Sequence, residues 1–138
     1  MSTAAATNSP QLPPRILIVD DEPDNRVLLE IIMKSEGYIT LCAASGEEAL
    51  ASVDSHPPDL ILLDLMMPGM DGFQVTARVK GDGATKHIPV MVITAMNDRA
   101  TTTRVRAAGA EDVLSKPIDR RTLCEHVRQL LRAKEPNH

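Results

Sequence analysis

Five short runs rich in apolar residues recur along this chain, and a segment with helical periodicity follows each of them. The runs span residues 16–19, 38–42, 60–63, 90–93 and 111–114. The helical segments cover residues 24–35, 45–56, 73–80, 98–108 and 121–132. Short apolar runs of this kind are typical of strands buried on both faces of a parallel sheet. Their alternation with helices predicts an α/β fold, a doubly wound sandwich of five strands and five helices.

Two of the helices carry sequence signals for their caps and their buried faces. Leu28, Ile31 and Ile32 recur at helical spacing and are predicted to face the core, with Asp24 as the N-terminal cap of that helix. Ser45, followed three residues later by Glu48, has the spacing of a capping box.

The chain ends differ in composition from the part between them. Residues 1–14 are rich in Ser, Thr, Ala and Pro and carry no charged side chain, so they are predicted to form a disordered tail. Residues 15–132 are predicted to form one domain, and residues 133–138 a frayed C-terminus.

Composition excludes several classes of protein. The 138 residues carry a net charge of −4, which is a poor match to nucleic acid, and Tyr38 and Phe73 are too few aromatics for base stacking. No apolar run approaches the roughly 18–20 residues that span a bilayer. Cys42 and Cys124 are far apart, as in a protein with reduced thiols. We therefore expect a cytoplasmic domain that binds neither nucleic acid nor a membrane.

Polar side chains follow four of the predicted strands, at the edge where a doubly wound sheet carries its site. They are Asp20 and Asp21, then Asp64, Thr94 and Lys116. Clustered carboxylates without organised His or Cys favour a hard cation, Mg²⁺ or Mn²⁺. A metal, an ammonium and a hydroxyl together can stabilise a transferring phosphoryl group, and a carboxylate can accept it covalently. Taken singly, each acid could merely cap a helix; the joint placement favours chemistry.

Four motifs in this order resemble the receiver domain of bacterial two-component response regulators, a CheY-like fold with strand order 2-1-3-4-5. The motifs are Ile18-Val19-Asp20-Asp21-Glu22, the stretch from Leu62 to Gly72, Ile93-Thr94-Ala95 and Ser115-Lys116-Pro117. The resemblance covers residues 15–132. The stretches from His87 to Val90 and from Lys116 to Asp119 resemble receivers found in diguanylate cyclase response regulators.

The resemblance implies a role for each site residue. Asp64 would accept the phosphoryl group, and Thr94 and Lys116 would contact it, together with Ala95 and Met67. Mg²⁺ (or Mn²⁺) would be held by Asp21, Asp64 and the backbone carbonyl of Met66, with Asp20 binding a metal-bound water. The Lys116–Pro117 peptide bond is expected to be cis.

The resemblance also implies partners and a mode of action. The phosphodonor would be a sensor histidine kinase or a histidine phosphotransfer protein. A single-domain receiver of this kind would be a phosphoacceptor switch, which catalyses its own phosphorylation and dephosphorylation, and not a conventional enzyme. It would signal to an unidentified downstream protein through the fourth helix, fifth strand and fifth helix, as a monomer or as a dimer that forms on phosphorylation.

Two positions depart from the family pattern. Val113 stands where many receivers carry an aromatic residue three positions before the lysine, so we expect a smaller or different conformational response. Met66 and Met96 occupy the two positions that flank the attacking water in this family, and neither can activate water. We therefore expect slow self-dephosphorylation.

Three alternatives remain open on sequence grounds. A haloacid-dehalogenase-like phosphatase also uses an Asp nucleophile and Mg²⁺, but it needs a second acid where this chain has Met66, and its cap insertion is missing. A degenerate receiver could act only as a docking module, which the intact acidic residues disfavour. The chain could also be one receiver of a larger regulator.

Overall fold

A computed structural model describes residues 12–96 and 98–133, where five strands and five helices alternate. The strands are β1 (Arg15–Val19), β2 (Ile39–Ala43), β3 (Leu60–Asp64), β4 (Val90–Thr94) and β5 (Asp112–Ser115). The helices are α1 (Pro23–Ser35), α2 (Gly46–Ser55), α3 (Gly72–Gly81), α4 (Arg99–Ala107) and α5 (Arg120–Ala133). All strand pairs are parallel, in the order β2-β1-β3-β4-β5. The predicted doubly wound fold is confirmed.

The predictions for the two chain ends concern mainly residues that the structure does not describe. Residues 1–11 of the predicted tail and residues 134–138 of the predicted frayed end lie outside the described residues. Among the helices that are described, none has both the length and the apolar character needed to cross a membrane.

Alternate residues of the central strands pack on opposite faces of the sheet, because successive side chains of a strand point to opposite sides. Leu17, Leu63 and Val92 pack with α2 and α3 side chains such as Val53 and Val75. The intervening strand residues pack with α1 and α5 in a second cluster, which includes Ile18, Leu62, Met91, Leu29 and Val127. Both faces of the sheet are therefore covered, which explains why its strands read as unbroken apolar runs.

The predicted core face of α1 is confirmed at Ile32 but wrong at Leu28 and Ile31. The helix buries Leu29, Ile32 and Met33, whereas Leu28 is 49% exposed and Ile31 is 58% exposed. The helix also begins earlier than predicted, since Glu22 is the N-cap residue, Pro23 follows it, and Asp24 lies within the first turn. Apolar residues occur all around this helix, so periodicity alone could not distinguish the buried face from the exposed one.

Side-chain caps fix where three other helices begin. Ser45 accepts a hydrogen bond from the Glu48 backbone N–H, as predicted, although the Glu48 carboxylate bonds the N–H of Ala44 instead of that of Ser45. Asp71 and Asp98 cap α3 and α4 in the same way. Helices α3 and α4 follow the loops that leave the carboxyl ends of β3 and β4. By fixing where these two helices begin, the caps restrict the conformations of both loops.

Helix α4 is short and buries few side chains. Its nine residues bury only Thr101 and Val105. Its C-terminal end is held by Arg106, which donates to the carbonyl of Glu111 and lies 3.7 Å from an Asp112 carboxylate oxygen. Asp112 is also hydrogen-bonded to His126 of α5, so this carboxylate links α4, β5 and α5.

Lys80 joins α3 to the starts of β4 and β5. Its ammonium donates to the carbonyls of Lys86 (3.0 Å) and Ile88 (2.6 Å) and to the Glu111 carboxylate (2.7 Å), and only 13% of the side chain is exposed. We expect Lys80→Met to lower the free energy of unfolding by about 2–3 kcal/mol, because it leaves all three acceptors without this donor. Urea unfolding measures the change.

The matched control is Lys34→Met. Lys34 pairs with Glu30 across one turn of α1, and its side chain is 62% exposed. An exposed pair of this kind contributes roughly 0–1 kcal/mol. Equal losses of stability in the two variants would contradict the role assigned to Lys80.

Candidate functional site

The sheet topology brings three carboxylates to one place. Strand β1 lies between β2 and β3, so the connections that leave β1 and β3 diverge at this point of the carboxyl edge. Asp20 and Asp21 follow β1 directly, and Asp64 is the last residue of β3. Carboxylate oxygens from all three residues lie within 4.8 Å of one another.

This acidic triad fits a divalent metal ion. Asp20 and Asp64 are buried, and Asp21 is half-buried. Asp21 has no hydrogen bond or ion pair to any residue in the described ranges, so its carboxylate is available as a ligand. Three carboxylates this close repel one another unless a cation lies among them, and an all-oxygen donor set suits Mg²⁺.

Lys116 supplies the positive charge beside the triad. Its Nζ lies 3.2 Å from Asp64 Oδ1 and 3.7 Å from Asp20 Oδ2. Its backbone N–H donates to the carbonyl of Thr94, which continues the pairing of β5 with β4. The Lys116–Pro117 peptide bond is cis, as predicted. The loop after β5 therefore directs the lysine across the end of the sheet to Asp64.

The environment of Asp64 disfavours its charge. Burial raises the pKa of the Asp64 carboxyl above its ordinary value, and the nearby Asp20 carboxylate raises it further, while Lys116 opposes both effects. The Asp64 carboxylate therefore has one cationic partner, Lys116, in an environment that destabilises its negative charge. A group in this state gains from contact with a second cation.

Hydrogen bonds fix the turn that carries the two N-terminal acids. Asp20 Oδ1 accepts the backbone N–H of Glu22 (2.9 Å), and the Asp20 backbone N–H donates to the carbonyl of Ala43 (3.2 Å). The Asp20 carbonyl accepts a hydrogen bond from Arg26 Nη1 at 2.7 Å. The sequence analysis missed Arg26; its place one turn into the helix after the acidic pair is the only sequence signal for it.

Close packing of backbone fixes the loop that follows Asp64. Gly69 has a φ of +74°, a conformation that glycine adopts without strain. The Gly72 N–H donates to the carbonyl of Leu65 at 2.8 Å, which closes the loop onto the start of α3. A Cβ on Gly72 would lie 2.8 Å from the Asp64 carbonyl oxygen and from Leu65 Cα. Only glycine fits here without displacing the site strand.

We expect Gly72→Ala to destabilise the fold by about 1–3 kcal/mol, because the added methyl group meets backbone atoms that cannot rotate away. Urea unfolding measures this, and Gly81→Ala is the control. Gly81 ends the same helix, and a Cβ there meets nothing within 4 Å, so alanine should be neutral or stabilise by roughly 0.4–1 kcal/mol. Unchanged stability of Gly72→Ala would contradict the close approach.

The remaining predicted site residues surround this pocket. Thr94 ends β4 and is buried, and its Oγ1 accepts the Met96 backbone N–H at 2.9 Å. Met67 is buried, while Ala95 and the side chains of Met66 and Met96 are exposed. Val113 is partly buried and packs against the core beside α4. The contacts of Ala95 and Met67 with a phosphoryl group and of the Met66 carbonyl with a metal stay predictions.

The five-stranded parallel sheet, with three acids and a lysine at its carboxyl edge, is the architecture of a receiver domain. Residues 16–128 match the family model described as response regulator receiver domain. The chain belongs to this family, as the sequence motifs predicted.

Individual relatives agree with this assignment. The chain is 48% identical over 120 residues to the response regulator PleD of Caulobacter vibrioides, which covers 87% of this chain and 26% of PleD. It is 35% identical over 117 residues to protein PilH of Pseudomonas aeruginosa, covering 85% of this chain and 97% of PilH. The chain thus spans about a quarter of PleD and nearly all of PilH.

A solved structure supports the metal assignment by analogy. The receiver domain of the sensor histidine kinase PA1611 from Pseudomonas aeruginosa has a TM-score of 0.80 and 28% identity, and the match covers 86% of this chain and 98% of that one. That structure has a magnesium ion coordinated in its active site cleft. The triad of Asp20, Asp21 and Asp64 resembles such a receiver site.

Proposed function

We propose that this chain is a response regulator receiver, which takes a phosphoryl group onto Asp64 from a histidine kinase or a histidine phosphotransfer protein. The observation that carries this proposal is the convergence of Asp20, Asp21, Asp64 and Lys116. Two acids and a lysine around a third carboxylate are the groups that such a transfer requires.

The residues of the pocket have separate tasks in this transfer. Asp64 Oδ1 accepts a hydrogen bond from Lys116 at 3.2 Å, and we assign the attack on phosphorus to the other oxygen, Oδ2. An O–P bond forms on Asp64 as the N–P bond to the donor imidazole breaks, and the electron pair of that bond leaves with the imidazole. A Mg²⁺ ion held by the triad would neutralise the charge on the transferring group. Lys116 would move its ammonium from Asp64 to a phosphoryl oxygen.

Phosphorylation would be communicated through Thr94. Its hydroxyl oxygen accepts from the Met96 N–H, so its own proton is available to donate to a new phosphoryl oxygen. The loop from Thr94 leads directly into α4, and a bond formed there would bias the position of that helix. We propose the face formed by α4, β5 and α5 as the output surface, with a small response because Val113 replaces an aromatic residue.

The phosphatase alternative lacks support at the required position. The residue two positions after Asp64 is Met66, an exposed thioether, which neither donates nor accepts protons. A second acid at this point would be needed for turnover of small phosphoesters. The proposal therefore expects no multiple turnover of such substrates.

The experiment that tests the proposed function is incubation with acetyl phosphate and Mg²⁺, followed by measurement of the intact mass. The protein should gain one phosphoryl group, and an equal sample with EDTA in place of Mg²⁺ should gain none. Steady release of inorganic phosphate from small phosphoesters would instead support the phosphatase alternative. Binding of the proposed partners without any phosphorylation would support the docking module.

We expect the phosphorylated protein to lose its phosphoryl group slowly, because the exposed thioethers of Met66 and Met96 cannot orient water. Met66→Gln introduces an amide that can hold a water, and it should speed the loss by about ten-fold or more. The measurement is the decay of phosphorylated mass after removal of acetyl phosphate. Met70→Gln is the control, since Met70 packs against the core cluster. Loss within seconds from the wild type would contradict the prediction.

A further inference from the structure

We infer that Arg26 is a positioning residue for the cation site, a role that acts through the backbone of Asp20. This inference rests on the proposed function, since it concerns the affinity of the same acidic triad for Mg²⁺. Arg26 lies in α1 and is not itself placed to ligate a cation. Its contribution is to hold the turn from which Asp20 and Asp21 project.

The contact that carries the inference is short and partly buried. Arg26 Nη1 donates to the Asp20 carbonyl at 2.7 Å. Asp20 itself is only 2% exposed, so water cannot easily replace a lost donor at that carbonyl. Within the described part of the chain, Arg26 forms no ion pair, which distinguishes it from Arg106 and Arg128. Its guanidinium is therefore committed to the turn and not to a carboxylate.

The same turn is held at two further points. The Asp20 N–H bonds Ala43 on β2, and Asp20 Oδ1 bonds the N–H of Glu22. Arg26 completes the bracing by fixing the carbonyl between Asp20 and Asp21. The peptide unit that contains this carbonyl also sets the direction in which Asp21 leaves the turn. Since Asp21 has no partner in the described residues, its carboxylate depends on the backbone for its position.

Positioning and simple electrostatics predict opposite effects of removing Arg26. The guanidinium is a positive charge next to a site for a cation, so its charge alone weakens Mg²⁺ binding. Removing it would then tighten binding. If Arg26 orients the ligands, its removal weakens binding despite the lost repulsion. Partners that orient metal ligands typically contribute about 10–100-fold to metal affinity.

The test is a calorimetric titration of metal-free protein with Mg²⁺ for the wild type, Arg26→Met and Arg26→Lys. We expect Arg26→Met to bind about ten-fold more weakly. Arg26→Lys keeps the charge without the planar donor, and it should lie between the wild type and Arg26→Met. Arg128→Met is the matched control, because Arg128 of α5 pairs with Glu36 at the C-terminal end of α1, and its loss should leave the affinity unchanged.

A second readout is independent of the metal. The Glu22 amide resonance reports the hydrogen bond to Asp20 Oδ1, and it should shift in metal-free Arg26→Met but not in Arg128→Met. Equal or tighter Mg²⁺ binding by both Arg26 variants would overturn the inference, as would an unmoved Glu22 resonance. Should Arg26→Met fail to fold, Arg26→Lys decides by the same two measurements. A wild type that binds no Mg²⁺ would instead overturn the proposed function itself.

Discussion

We expect replacement of Asp64 by Asn to abolish phosphorylation by acetyl phosphate, and the same change at Asp54 to leave it intact. Asn retains the shape of the side chain but has no anionic oxygen to attack phosphorus, and it removes one of the three carboxylates from the metal site. The expected result is a complete loss of the phosphorylated mass. Intact-mass measurement after incubation with acetyl phosphate and Mg²⁺ detects it.

Asp54 is the matched control because it lies exposed on α2, away from the carboxyl edge of the sheet. Its Asn variant should reach the same degree of phosphorylation as the wild type. A phosphoryl group that persists in Asp64→Asn would show that another residue accepts it. Peptide mapping of that product would then identify the true acceptor, and the role assigned to Asp64 would be lost.

We expect the same substitution to stabilise the protein in the absence of Mg²⁺ at neutral pH. The physical cause is the raised pKa of Asp64, which reflects burial first and repulsion by Asp20 second. At low pH the carboxyl is neutral in both folded and unfolded chains, and wild type and variant differ little. As the pH rises from the ordinary carboxyl pKa through the raised one, the folded wild type loses stability that Asn retains.

Urea unfolding at a series of pH values with EDTA measures this difference. The difference in unfolding free energy between Asp64→Asn and the wild type should grow as the pH rises from the ordinary carboxyl pKa to the raised pKa of Asp64. Above that pH it should level off. Added Mg²⁺ should reverse the order, since an ion that binds only the folded wild type raises its stability with concentration. Asp54→Asn should stay within roughly 0.5 kcal/mol of the wild type throughout. A variant less stable than the wild type at neutral pH would contradict the argument.

The site could be predicted from sequence because parallel strands place their carboxyl ends at one edge. Asp20, Asp64 and Lys116 are far apart in the chain, yet the alternation of strands and helices was sufficient to expect them together. Their order along the chain also matched the motifs of a family. The strand pattern was readable because both faces of the sheet are buried.

Other features could not be predicted from sequence, for physical reasons that differ. The buried face of α1 was misassigned because Leu28 and Ile31 are apolar but exposed, and burial depends on packing against the sheet. The contact of Arg26 with Asp20 joins a side chain to a backbone carbonyl, and the place of Arg26 one turn into the helix does not by itself indicate such a contact. The clash at Gly72 likewise depends on where the loop after β3 approaches the helix.

Because α4 buries few side chains, we expect a signal to need only a small free energy to shift this helix. With only two side chains buried, we expect this helix to open locally at a lower free energy than the fully buried central strands. A population shift in such a segment needs only a small differential free energy, and one hydrogen bond to a charged group contributes about 1.5–3 kcal/mol. Because Arg106 holds the C-terminal end of α4 to β5, we expect any displacement of the helix to be largest at the turn nearest Thr94.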